Sequence, residues 1–148
     1  MDAHTEEIGP VDIVVIAYPA DAPMTGEAIP LLLDLVDRGI IRVLDVLFVM
    51  ANADGTFSGF EAQDLEADRI GDFKVFEGAS SGLLGQDDVA AVSKAIEPGS
   101  AAVLIAYENR WAAPFAAAVR RNGGVVVDNQ RIPVADLVAA LDAVEATA

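Results

Sequence analysis

Four consecutive residues, Glu108-Asn109-Arg110-Trp111, form the densest polar-aromatic cluster in the chain. Asn109 suits the N-cap of a helix starting at Trp111, Arg110 can pair with Glu108, and Trp and Arg are side chains that interface hot spots favour. The cluster reads as a cap with local packing, as the rim of an interface or pocket, or as catalytic groups. Tyr107 precedes it directly, and Tyr18 ends an equivalent apolar run earlier in the chain. Asp45 interrupts Val43, Leu47 and Val49, which share its face by period-two alternation. A carboxylate there is an acid of raised pKa in a pocket, an edge-strand charge that blocks sheet-to-sheet aggregation, or a residue at a subunit boundary.

Other chemistry finds few reagents. The serines Ser58, Ser80, Ser81, Ser93 and Ser100 have no base nearby, because the single histidine, His4, lies in a polar N-terminal tail. Gly78-Ala-Ser-Ser-Gly-Leu-Leu-Gly85 precedes a helix, as a phosphate cradle would. It carries no lysine, and Asp87 and Asp88 follow it, so it reads as a linker. Asn52-Ala-Asp-Gly-Thr56 lacks the oxygen ladder and closing glutamate of a calcium loop and reads as a hairpin turn. With no cysteine there is no disulfide, thiolate metal site or cysteine nucleophile. Neither a cofactor nor a metal is expected. Enzymatic activity would have to run on Asp, Glu, Tyr or Arg; the question stays open and leans to no.

The elements that must position these residues are set by apolar runs and their punctuation. Val11 to Tyr18 is a β-branched run stopped by Pro19, hence a buried strand. A helix spans about Glu27 to Arg38 before Gly39, with Pro30 tolerated in its first turn. Ile40 to Met50 is a strand, and Asp54-Gly55 turns it back into a short strand, Thr56 to Ala62. A helix from Asp87 to Ile96 ends at Pro98-Gly99, and Ala101 to Tyr107 is another strand. Trp111 to Asn122 is a helix, Val125 to Gln130 a strand, and Pro133 to Glu145 a helix striped by Val134, Leu137, Val138, Leu141 and Val144.

Val14-Val15-Ile16-Ala17-Tyr18 nearly repeats as Val103-Leu104-Ile105-Ala106-Tyr107, and Pro30 and Gly39 are spaced like Pro114 and Gly123. The repeat predicts one βαβ unit used twice, at 11–50 and 100–130, around a hairpin and helical insertion at 52–99, with the closing helix at 133–145. Residues 1–148 are expected to form a single domain of the α+β class. Its architecture is expected to be a ferredoxin-like split βαβ sandwich, four antiparallel strands with both helices on one face. A small doubly wound parallel sheet is the alternative. The Asp54-Gly55 hairpin favours the first, since it demands an antiparallel neighbour.

Several stretches resemble the domain-of-unknown-function family numbered 6325. They are Gly9-Pro10-Val11-Asp12-Ile13-Val14-Val15-Ile16-Ala17-Tyr18-Pro19, Ile41-Arg42-Val43-Leu44-Asp45, Ser81-Gly82-Leu83-Leu84, Glu97-Pro98-Gly99-Ser100 and Glu108-Asn109-Arg110-Trp111-Ala112-Ala113-Pro114-Phe115. The likeness runs from about residue 9 to 145. That family is similar in turn to the larger one numbered 1269, some of whose members carry a long glycine-rich apolar segment; Gly78 to Gly85 is far too short for one. The resemblance implies a sequence pattern and no activity or catalytic residue.

Composition narrows the partners. There are 24 acidic and 9 basic side chains, a formal charge of −15, which argues against nucleic acid and against anionic membrane surfaces. With 53% hydrophobic residues the chain is not a disordered one. No apolar run approaches the roughly 20 residues of a bilayer span, and Asp2, Glu6 and Glu7 do not suit a signal peptide, so a cytoplasmic protein is the default. Both faces of Val11–Tyr18 and of Ala101–Tyr107 are apolar, whereas helices on one side cover only one of them. Something must cover the other: the insertion, the last helix, or a second copy. The expected function is therefore a non-enzymatic, homo-oligomerising interaction or assembly module. The alternative is a small-molecule-binding domain or cofactor-free enzyme with an apolar pocket between sheet and insertion, lined by Tyr18, Tyr107 or Trp111.

Overall fold

A computed structural model describes residues 8–22, 27–61 and 81–147. His4, the irregular stretch from Leu65 to Phe76 and the start of the Gly78–Gly85 run lie outside the described residues. The chain divides into two compact units, Met1–Ala118 and Val119–Ala148.

The first unit is built on four strands, β1 (Val11–Tyr18), β2 (Ile41–Ala51), β3 (Phe57–Glu61) and β4 (Ala101–Asn109). All neighbours are antiparallel, and the order is β1-β4-β2-β3. Because β1 and β2 both run against β4, they are parallel to each other with β4 inserted between them. Their connection carries helix α1 (Ala28–Asp37), in which Pro30 does fall in the first turn and Gly39, at φ 72°, follows the last. The strands β3 and β4 are likewise parallel with β2 between them, and their connection carries helix α2 (Gln86–Ala95).

The second of these split units is not the one the internal repeat suggests. It uses the hairpin and the helix of the insertion, 57–109, rather than residues 100–130. Val125 to Gln130 forms no strand, and Val125, Val126 and Val127 are 80%, 73% and 94% exposed. A β-branched run becomes a strand only when a ladder partner accepts its backbone groups; among the described residues none does.

The expectation of both helices on one face also fails. Val89 and Val92 of α2 pack with Leu47, Val49, Ala102, Leu104 and Ala106. Leu32, Leu33 and Val36 of α1 pack with Val46, Val103, Ile105, Phe48 and Tyr107. Even-numbered residues of β4 face one helix and odd-numbered ones the other, since successive side chains of a strand alternate. The reason was present in β4: Ala102 through Ala106 are apolar on both sides, and all five are buried. A strand of that kind needs a cover on each face. The resulting unit is a mixed α+β layer structure with the sheet in the middle.

The hairpin between β2 and β3 is closed by Asn52 N–H donating to the Thr56 carbonyl (2.7 Å), with Gly55 at φ 91°. Asp54 Oδ1 accepts from the Thr56 hydroxyl (2.6 Å) and the Thr56 N–H (3.0 Å). These bonds, the hydroxyl first, hold the Asp54 carboxyl below its ordinary value of 3.8. A depressed carboxyl pKa stabilises the turn above about pH 4, and that contribution is lost as pH falls through the depressed value. Thr56→Val removes the hydroxyl donor, so a carboxyl NMR titration is expected to find Asp54 titrating at higher pH in the variant than in the wild type.

After β4 a single 3₁₀ turn (Arg110–Ala112) leads into helix α3 (Ala113–Arg121). In the second unit Gly124 N–H donates to the Val119 carbonyl, and helix α4 (Val134–Thr147) follows. Its apolar stripe, Val134, Leu137, Val138, Leu141 and Val144, is exposed throughout. Among the described residues no helix is long and apolar enough to cross a membrane.

Candidate functional site

Among the described residues two carboxylates, Asp45 and Glu108, are buried, and both lie on the α2 face. Glu108 continues the period-two series Ala102, Leu104, Ala106 along β4, and its backbone pairs with Arg42 of β2 and Val11 of β1. Asp45 pairs with Ala106 beside a bulge between Val43 and Asp45. Asp45 keeps the face of Leu47 and Val49 by alternation, but the extra residue of the bulge breaks the alternation before it, so Val43 falls on the opposite face with Tyr107 rather than beside Asp45 as the spacing predicts.

Glu108 is wholly inaccessible to solvent. Its Oε2 accepts from the Gly9 N–H at 2.8 Å. Its Oε1 lies 2.9 Å from Arg42 Nε and 3.6 Å from Arg110 Nη1. The Oε1 atom accepts no aligned hydrogen bond, so these contacts hold it by charge rather than by geometry. Both arginine side chains remain about half exposed, at 52% and 48%. A buried carboxylate is thus compensated by two cations that keep part of their hydration, the arrangement in which desolvation costs least. Gly9 is required by proximity, because a Cβ there would stand 2.2 Å from the Asn109 carbonyl oxygen.

Asn109 does not cap the following turn, contrary to expectation; no side-chain cap bond forms. Its amide instead donates to the Pro10 carbonyl (3.0 Å) and to Asp12 Oδ2 (2.9 Å), while its Oδ1 accepts from Trp111 Nε1 (3.2 Å). The side chain therefore ties the start of β1 to the end of β4 and steadies the indole. Trp111 is 66% exposed and Phe115, one turn on, 70%. The Trp111 N–H donates to the Ile40 carbonyl (3.1 Å), fixing this corner to the start of β2.

Of the residues singled out by sequence, Glu108, Asn109, Arg110 and Trp111 come together at this corner. Tyr107 points to the other face and packs with Val46, Val103 and Ile105; Tyr18 joins the same cluster from the far end of the sheet. Tyr18 and Tyr107 thus share one face at opposite ends of the sheet, and Trp111 stands apart from them at the Glu108 corner; much of the insertion that would close a pocket against the sheet lies outside the described residues. Asp45 is no edge-strand charge, since β2 lies inside the sheet. Its Oδ2 accepts from the buried Leu84 N–H (3.0 Å), which anchors the segment entering α2. Asp88 finishes that entry by accepting from the Gly85 N–H (2.8 Å).

Arg42 and Gly9 are members of the corner that sequence reasoning missed. The usable signal was Glu108 itself, a charge falling in register with Ala102, Leu104 and Ala106 and so in need of a distant cation. Among the described residues no group of three or more His, Asp or Glu could hold a metal ion. A cleft of about 180 Å³ opens between the hairpin and α2, lined in part by Asn52, Thr56, Phe57, Ser93 and Lys94. It lies at the opposite end of β2 from the Glu108 corner.

A mixed α+β protein with a four-stranded antiparallel sheet and a charge-locked corner at one end of it is the class these features define. The sequence profile described as a family of unknown function, DUF6325, matches residues 7–148, and the chain belongs to that family. No curated protein and no solved structure matches it.

Proposed function

We propose that this protein is a non-enzymatic module that associates with further copies of itself, working in the cytoplasm. The observation that carries the reading is the amount of large apolar surface left open. Val11, Ile13 and Val15 stand about half exposed along one strand, and Trp111 and Phe115 more so. Isolated exposed apolar residues are ordinary, but contiguous rows of them mark association surfaces. The Glu108 corner suits a supporting role, holding Trp111 and β1 in place with no group free to act on a substrate.

The alternative is a small-molecule binder or cofactor-free enzyme with an apolar pocket between sheet and insertion; among the described residues the cleft of about 180 Å³ beside Lys94 is a candidate for it. Native mass spectrometry of freshly purified protein separates the two readings. Closed oligomers of bare 15.4 kDa chains are expected. A monomer carrying extra mass would overturn self-association and favour the ligand.

A further inference from the structure

The free edge of β1 has a defined hydrogen-bonding pattern. Asn109 N–H donates to the Pro10 carbonyl at 2.8 Å, in the same register that pairs Val11 with Glu108 and Tyr18 with Ala101. Pro10 and Asn109 are therefore a hydrogen-bonded pair of the antiparallel ladder, and such pairs alternate along it. It follows that Asp12, Val14, Ile16 and Tyr18 turn their backbone N–H and C=O groups toward β4. Val11, Ile13, Val15 and Ala17 turn theirs outward. Among the described residues no strand meets them, because β1 ends the sheet.

Sheet edges are usually blunted by lysine, proline, a bulge or brevity. The opposite edge, β3, has five residues. In contrast, β1 has eight, pairs with β4 without a register shift, and contains neither lysine nor proline. Its one charged side chain, Asp12, already accepts from Asn109. In a chain of formal charge −15, this edge lets two copies meet without opposing many carboxylates.

We propose that β1 pairs antiparallel with β1 of a second copy, about a two-fold axis at Val14, joining two four-stranded sheets into one. The proposal rests on the self-association reading and names its interface. Self-complementarity selects the register. Centred on Val14, Val11 faces Ala17 of the second copy and Ile13 faces Val15, so all four outward residues find outward partners and each such pair exchanges two hydrogen bonds. Asp12 then lies across from Ile16. Centring on Ile13 strands Ala17, and centring on Val15 strands Val11. Centring on Asp12 sets two carboxylates face to face, which is destabilising. On the α2 face the chosen register places Ile13, 54% exposed, against Val15, 48% exposed, of the other copy. The two exposed stripes become one continuous apolar row. An isologous contact of this kind closes at two copies.

Ile13→Pro tests the edge. It deletes an outward N–H and no β1–β4 bond, and proline is tolerated on an edge strand at such a position. Native mass spectrometry is expected to find wild type at twice 15.4 kDa and the variant at the monomer mass. Ile13→Lys, which keeps the backbone N–H, is expected to do the same and serves should the proline variant fail to fold. Val14→Cys tests the register. The protein has no cysteine of its own. A non-hydrogen-bonded antiparallel pair sets Cα atoms about 4.5 Å apart, within disulfide range. Mild oxidation should therefore give a covalent dimer on a non-reducing gel. A monomeric wild type would overturn self-association and this interface together. A wild-type oligomer that survives both Ile13 substitutions would overturn the β1 edge alone. Failure of Val14→Cys to cross-link in a dimer that Ile13→Pro dissolves would overturn the register.

Discussion

Arg42→Ala is expected to lower the unfolding free energy by about 3 kcal/mol, read as a reduced urea midpoint with an unchanged slope. The cost comes from what remains. Glu108 stays fully buried, its nearest cation at 2.9 Å is gone, and Arg110 at 3.6 Å is left to compensate alone. Removing one partner of a buried pair usually costs about 3–5 kcal/mol; the lower end applies because a second arginine persists. The mechanism has its own check. If an uncompensated carboxylate is the cause, Glu108→Gln should be less harmful in the Arg42→Ala background than in the wild type. Purely additive effects in that double-mutant cycle would refute the electrostatic account.

Asp45→Leu is expected to cost about 2–3 kcal/mol, although leucine is apolar and the site is buried. The Leu84 N–H would lose its acceptor inside a cluster of Leu47, Val49, Val89 and Val92, and a buried orphan donor costs about 1–3 kcal/mol. Misfit of the branched side chain beside the bulge adds to that. Asp45→Asn keeps a carbonyl oxygen for Leu84 and should recover most of the loss. Hydrogen exchange localises the effect: the Leu84 amide should exchange much faster in Asp45→Leu and near the wild-type rate in Asp45→Asn. Equal stability of the two variants would show that the hydrogen bond is not what Asp45 contributes.

These two sites mark where reading the sequence stops working. Strand β1, helix α1, the Asp54-Gly55 hairpin, α2 and α4 are legible to within a residue or two, because periodicity and the Gly and Pro stops are local. Strand order is a different kind of information. Nothing near Asp45 says that β4 will lie beside β2 and make it interior, and nothing near Glu108 says that Gly9 and Arg42 will enclose it. The repeat of Val14–Tyr18 at Val103–Tyr107 is real at the level of letters, yet it pointed to the wrong second unit. Val125 to Val127 has strand composition but finds no pairing partner among the described residues, and the helix that completes the split arrangement comes from the insertion instead. The two apolar faces of β4 did carry the right message, that a cover is needed on each side.

Placing β4 between β1 and β2 also sets the order in which the protein can be made. Asp12 and its partner Asn109 are 97 positions apart. At about 5–20 residues per second, translation needs roughly 5–20 s to deliver the one strand that β1 can join within the sheet. Through that interval β1 leaves the ribosome as an apolar segment with both edges open, and a sheet dominated by such distant pairings forms slowly once complete. The same eight residues that finish the sheet are thus its main exposure to misassembly during synthesis, when nascent chains on one message lie close together.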